Sequence, residues 1–152
     1  MSKDVLIDEI GTQLRLLQQS FDLFDEAVAA RLGLNRTDLR CMDVVLGRGP
    51  LPAGELSAAL KLSPAATTAV IDRLERAGFV ARGQDPANRR RVLVTATDAA
   101  SEVAQRIFEP VGRAGAQALG RYDTGELALI LDFLHTALAV HHEQTDRVVS
   151  EG

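Results

Sequence analysis

Seven apolar residues in the first thirty positions fall at alternating spacings of three and four: Ile7, Ile10, Leu14, Leu17, Phe21, Phe24 and Val28. A seam with that period, 3.5 residues, belongs to a helix packed along a partner helix, and the spacing predicts one long helix over 4–31. Leu6, Leu16 and Leu23 lie off the seam, so a second face is apolar too. A helix apolar on two faces touches two things. The second is either the remainder of its own domain or another subunit. With 152 residues the chain has room for one ordinary domain or two very small ones.

The other end repeats the pattern. Thr97-Asp98 starts a helix with Val103, Ile107 and Val111 as one stripe and Pro110 as a candidate kink. After the break at Arg121-Tyr122-Asp123, Thr124 with Glu126 and Leu127 reads as a helix start, and Leu127, Leu131, Leu134 and Leu138 form its stripe, widened by Ile130, Phe133 and Ala137. Both ends are acidic, −3 over residues 1–35 and −5 over 98–152, whereas residues 61–97 carry +4. A net charge of −4 hides this basic middle, the footprint of a local nucleic-acid contact surface or of a solvated charged face. Two helical ends this rich in apolar surface exceed what so small a domain consumes, which points to pairing across a dimer.

Composition narrows the classes. Hydrophobic residues at 46% and charged residues at 25% describe a folded chain, and aromatics at 4% with no Trp require an aliphatic core. One Cys excludes an intramolecular disulfide and a CxxC motif. No run approaches the ~18 apolar residues of a membrane span, and no leader pattern opens the chain, so the expected location is cytoplasmic, with no membrane partner.

The basic middle has its own grammar. Asn35 with Asp38 resembles a helix cap, followed by an apolar face of Leu39, Met42, Val45 and Leu46, and Gly47-Arg48-Gly49-Pro50 stops the helix. Pro52 suits the first turn of a short helix to about Leu60, with Leu56, Ala59 and Leu60 inward. Ser63 caps and Pro64 opens the next, whose buried stripe is Val70, Ile71, Leu74 and Ala77, with Thr67, Thr68, Asp72 and Arg73 on the other side and Gly78 past its end. Two short helices joined by a tight turn form a helix-turn-helix. Two strand-like runs follow, Phe79–Arg82 and Val92–Thr95, around Asp85-Pro86-Ala87-Asn88, which suits a type I turn, with Arg89, Arg90 and Arg91 directly after it. Such a hairpin is a wing. Arginines at its tip suit a minor groove, and equally an exposed edge strand protected by charge.

These residues resemble the MarR family of bacterial transcription regulators. The likeness rests on Leu56–Pro64, on Val70–Val80 with its D-R-L-E-x-x-G-F-V run, on the D-P-x-N-R-R wing from Asp85, and on Thr95-Ala96-Thr97. It covers residues 39–100 by motif and nearly the whole chain by helix order. The resemblance implies a mainly α fold with a small β-wing: a dimerisation helix over 1–34, a winged helix-turn-helix over 35–97, and further dimerisation helices over 98–152. It implies a homodimer on double-stranded DNA, with Ser63–Ala77 as reading helix. Ser63, Thr67 and Thr68 would face the major groove, the wing-tip arginine would be Arg89 or Arg90, and Asp85 would hold an arginine; beside this, Lys61, Arg73 and the wing arginines Arg89, Arg90 and Arg91 are expected to take phosphates. It also implies a small aromatic or anionic effector between dimer region and DNA lobes, and no cofactor. Three positions depart from the family pattern: Ala69 for a basic or larger polar residue, Pro52 for a capping hydroxyl, and Asn88 for Asp, which suits a left-handed turn residue.

Other readings remain beside it. No phosphate loop, G-x-S-x-G or HExxH points to an enzyme. A winged helix used for protein contact would carry the same basic face. Cys41 offers redox sensing or a small buried core residue. His141-His142 with Glu143 offers metal sensing, although adjacent helical histidines diverge by about 100° and need His135 or a partner's ligands. Tyr122 reads as a packed loop residue.

Overall fold

A computed structural model describes residues Met1–Gly152. Six helices and three short strands follow in the order α1 (Lys3–Leu32), α2 (Arg36–Arg48), β1 (Leu51–Pro52), α3 (Ala53–Leu60), α4 (Pro64–Arg76), β2 (Val80–Asp85), β3 (Asn88–Ala96), α5 (Asp98–Leu119) and α6 (Thr124–Ser150). This is the mainly helical fold with a small wing that the sequence predicts. Two compact units divide it, Met1–Ile107 and Phe108–Gly152.

In the first unit the caps fix the helix ends. Asn35 and Asp38 form a reciprocal capping box on α2. Ser63 accepts the Ala66 N–H at 3.1 Å, and Pro64 takes the first position of α4, where its missing N–H is harmless. Gly78 ends α4 at φ 82°, a conformation that favours glycine, and the Gly78 and Phe79 amides donate to Glu75 and Leu74. Around these ends a single aliphatic core forms from Cys41, Met42 and Val45 of α2, Leu56 and Leu60 of α3, Val70, Ile71 and Leu74 of α4, Val80 and Val94 of the wing, and Ala100 of α5. Ala59 and Ala77, expected inward, are exposed instead.

The sheet is antiparallel in the order β1-β3-β2. β1 escapes sequence reading because two residues carry no period. Its Pro52 pairs with Leu93 on an edge, where a strand tolerates a missing donor. Pro52 therefore precedes α3 as its cap residue, without a side-chain bond, rather than lying in its first turn.

α1 buries only Val28 and Ala29, and its seam residues Ile7, Ile10, Leu17 and Phe21 are exposed. In the second unit α6 buries no residue and exposes Leu131, Leu134 and Leu138. It starts at Thr124 as expected, capped by Asp123 in a reciprocal box with Glu126. α5 continues through Pro110 to Leu119, so the proline does not end it.

Candidate nucleic-acid interface

The turn between α3 and α4 is held by three side chains. Ser57 Oγ donates to Thr67 Oγ1 at 2.7 Å, and Thr67 Oγ1 donates to the Ser63 carbonyl at 2.9 Å. Arg40 of α2 donates to the Leu60 carbonyl at the end of α3. Lys61 follows in the left-handed region at φ 53°, the single non-glycine residue with positive φ. A Cβ there costs roughly 1 kcal/mol, which glycine avoids. Lys61→Gly is accordingly expected to raise the melting temperature by about 2 °C, while removing a cation from the exposed turn. Thermal unfolding and DNA titration of the same variant check both signs.

Thr67 corrects the sequence reading. It is fully buried, and its hydroxyl is taken up between two helices, so it cannot reach a base. Position alone misleads here, because a threonine one place before an exposed Thr68 looks equally polar.

Arg73 also differs from expectation. Its Nε and Nη2 approach Asp38 at 3.0 and 2.9 Å, and the Asp38 side chain is 3% exposed. The pair ties α4 to α2, and the bond to Asp38 raises the Arg73 pKa further. The guanidinium is thus committed to the fold before any phosphate. Arg82 plays the corresponding part for the wing. Its guanidinium meets Asp72 at 2.6 Å and Glu75 at 3.0 Å, and its N–H donates to Glu75 at 3.2 Å, clamping β2 on α4. Sequence reading missed Asp38, Arg40 and Arg82 as positioning residues, since no local spacing couples residues of separate elements.

The wing presents its arginines through an irregular ladder. Asp85 pairs with Asn88 around Pro86-Ala87, yet the next β2 residue, Gln84, pairs with Val92. Arg89, Arg90 and Arg91 fall in this register shift, a bulge without partners on β2. Asn88 stabilises it by accepting the Arg90 N–H at 3.1 Å, and Asn88 has no positive φ, so the expected left-handed turn residue is absent. Asp85 accepts the Ala87 N–H at 2.9 Å and holds Arg91 loosely, at 4.0 Å; Arg91 also faces Glu55 at 3.7 Å. Arg89 and Arg90 are exposed and outside every ion pair of the chain. Lys61, Ser63 and Thr68 are exposed as well.

Cys41 lies at 0% exposure. Burial first, then Asp38, pushes its thiol from 9.0 to about 11, against the lowering pull of Arg40. Full burial in the core fits the small buried core residue of the two readings and not the exposed thiolate that redox sensing calls for. The native protein should resist thiol reagents at pH 8 and release one reactive thiol on unfolding. Because folding raises this pKa, the thiol's contribution is intact below pH 9 and is lost as pH rises through about 11. His135, His141 and His142 are exposed on α6, and no three ligand side chains converge on a metal position. Arg121 lies over the Tyr122 ring at 5.2 Å, which occupies that residue locally.

A cleft of about 190 Å³ opens between α1 and α2, lined by Asp25, Arg36, Thr37, Leu39, Arg40 and Asp43. Arg36 meets Asp22 at 3.4 Å and Asp25 at 3.5 Å. Burial, and then Asp25, raise the Asp43 pKa. No helix is long and apolar enough to cross a membrane.

Known proteins share this arrangement. A family model described as the MarR family matches residues 34–92, the helix-turn-helix with most of the wing. An uncharacterized HTH-type transcriptional regulator of Bacillus subtilis, YcgE, is 38% identical over 126 residues, covering 83% of this chain and 82% of the relative. A second from the same organism, YkoM, is 36% identical over half of the chain. Among solved structures, a MarR family protein from Bacillus stearothermophilus superposes with a TM-score of 0.67 over 95% of this chain and 99% of that one, at 22% identity. Wild-type MarR from E. coli gives 0.61 over 84% and 95%, also at 22% identity, so both show the fold alone. With a relative this similar over most of both chains, and with the turn, α4 and wing placed as described, the chain belongs to the MarR family of winged-helix transcriptional regulators, and is a DNA-binding protein rather than an enzyme.

Proposed function

We propose that the protein is a homodimeric repressor that binds a pseudo-palindromic operator in the cytoplasm and is released by a small ligand. The observation that carries the reading is the pair Arg89 and Arg90, exposed and unpaired in the wing bulge, on the same folded unit as the exposed Lys61, Ser63 and Thr68. Each lobe would lay α4 in a major groove and the wing in the flanking minor groove, where the negative potential attracts arginine. Half-sites then repeat at about 10 bp.

A second copy accounts for the apolar seams. Ile7, Ile10, Leu17 and Phe21 on α1 and Leu131, Leu134 and Leu138 on α6 are exposed in the single chain, and covering them is the driving force for pairing. The α1–α2 cleft is the candidate effector site; Arg36 is already paired with Asp22 and Asp25 there and Asp43 lines it too, so Arg40 is the cation an anionic effector would have to engage. Arg40 also holds the Leu60 carbonyl, so an anion that draws Arg40 away frees the turn before α4.

Gel shift against DNA upstream of its own gene tests the reading. If each subunit neutralises about three phosphates, log K falls against log salt with a slope of roughly −5. Footprinting with and without phenolic carboxylates tests release. A slope near zero removes the basic segment as the DNA contact, whereas salt-labile binding without sequence preference favours a winged helix used for protein contact.

A further inference from the structure

The outward face of α4 is lined with methyl groups. In its first two turns the exposed side chains after Pro64 are Ala65, Thr68 and Ala69, whereas Ala66 is half-buried and Thr67 buried. The Thr68 hydroxyl donates to the Pro64 carbonyl at 3.0 Å, which turns its oxygen to the helix's own backbone and leaves its methyl as the outward group. Ser63 Oγ already accepts the Ala66 N–H. No guanidinium, ammonium or amide stands among these residues, and those are the groups that read guanine or adenine through paired hydrogen bonds. Further along the same face, Asp72 is held by Arg82 at 2.6 Å. Arg76 comes eleven residues after Ala65, about 16 Å along the axis. It therefore lies beyond the first two turns, whose outward side chains include no cation.

We propose that Ala65, Thr68 and Ala69 read the operator through thymine C5-methyl groups, so that the DNA this chain selects carries thymines, not guanines, opposite the first two turns of α4. The proposal rests on the operator-binding reading above and adds which property of the bases is read. Thymine alone offers an apolar group in the major groove, and burying it against alanine and threonine methyls removes apolar surface from water. Guanine in its place would set two acceptors against methyls without a donor, a loss of about tenfold or more.

The test starts from duplexes of random sequence selected by the full-length protein. The recovered duplex is then remade with uracil in place of thymine, and separately with 7-deazaguanine in place of guanine. Uracil should weaken binding about fourfold for each contacted thymine, multiplying over both half-sites. Deazaguanine, which removes the N7 acceptor, should leave affinity unchanged. Thr68→Ser, which keeps the hydroxyl and removes the methyl, should weaken binding to the thymine duplex and leave binding to the uracil duplex as it is for the unsubstituted protein. Equal affinity for thymine and uracil duplexes, or loss of binding with deazaguanine, overturns methyl readout while leaving operator binding intact. Failure to recover any sequence above the starting pool overturns operator binding itself, and methyl readout with it.

Discussion

Replacing Arg73 by methionine is expected to lower the melting temperature by on the order of 10 °C. The reason lies in the partner. Asp38 is 2% exposed, and apart from the capping contact of the Asn35 N–H at 3.3 Å its carboxylate is held by Arg73 alone. Methionine fills the space of the arginine stem and leaves a buried charge without its cation. Converting that charge to an amide in Asp38→Asn/Arg73→Met should restore most of the loss, because the uncharged pair no longer carries the desolvation penalty of an unpaired ion. Circular dichroism melts of the single and double variants at pH 7 decide the matter. A shift of the single variant within about 3 °C would show that the α2–α4 clasp is dispensable. DNA affinity of the folded single variant should change little, since Arg73 is occupied within the fold.

The second large effect is on binding and not on stability. Arg89→Ala/Arg90→Ala removes two unpaired cations from each wing, four from a dimer. Affinity for an operator duplex should fall about a hundredfold or more at physiological salt, and the salt slope should shrink from roughly −5 to roughly −2. The melting temperature should stay the same, because neither arginine holds any other residue and both lie outside the paired part of the hairpin. A titration at several salt concentrations separates this from misfolding. An unchanged slope would place the DNA contact elsewhere on the basic segment. Arg82→Ala is the contrasting control: it loosens the wing from Asp72 and Glu75, so it should lower both stability and affinity.

Several features of this fold were legible in the residues because they are local. The 3.5-residue seam marked α1, Asn35 with Asp38 marked the start of α2, Ser63-Pro64 marked α4, and Asp85-Pro86 marked the hairpin turn. Each depends on contacts within four residues, where backbone geometry fixes which side chains meet. The candidate site was legible less evenly. Lys61, Ser63, Thr68, Arg89 and Arg90 are exposed as expected, whereas Thr67 is buried and Arg73 is ion-paired. The sequence places Thr67 and Thr68 side by side with the same chemistry. Only the crossing of α3 over α4 sets Ser57 against one of them.

Taken alone, the amino-acid order determined where most helices begin and end, that the ends of the chain carry more apolar surface than one small domain consumes, and that positive charge gathers in the middle. Tertiary structure decided how that charge is divided. Of the seven cations between residues 61 and 97, Arg73 and Arg82 are neutralised by acids of other elements or other turns, Arg91 is loosely held, and Lys61, Arg76, Arg89 and Arg90 remain outside ion pairs. The physical reason is range. A helix cap or a turn is written in neighbouring residues, while an ion pair depends on where distant segments come to rest, and 35 positions separate Asp38 from Arg73.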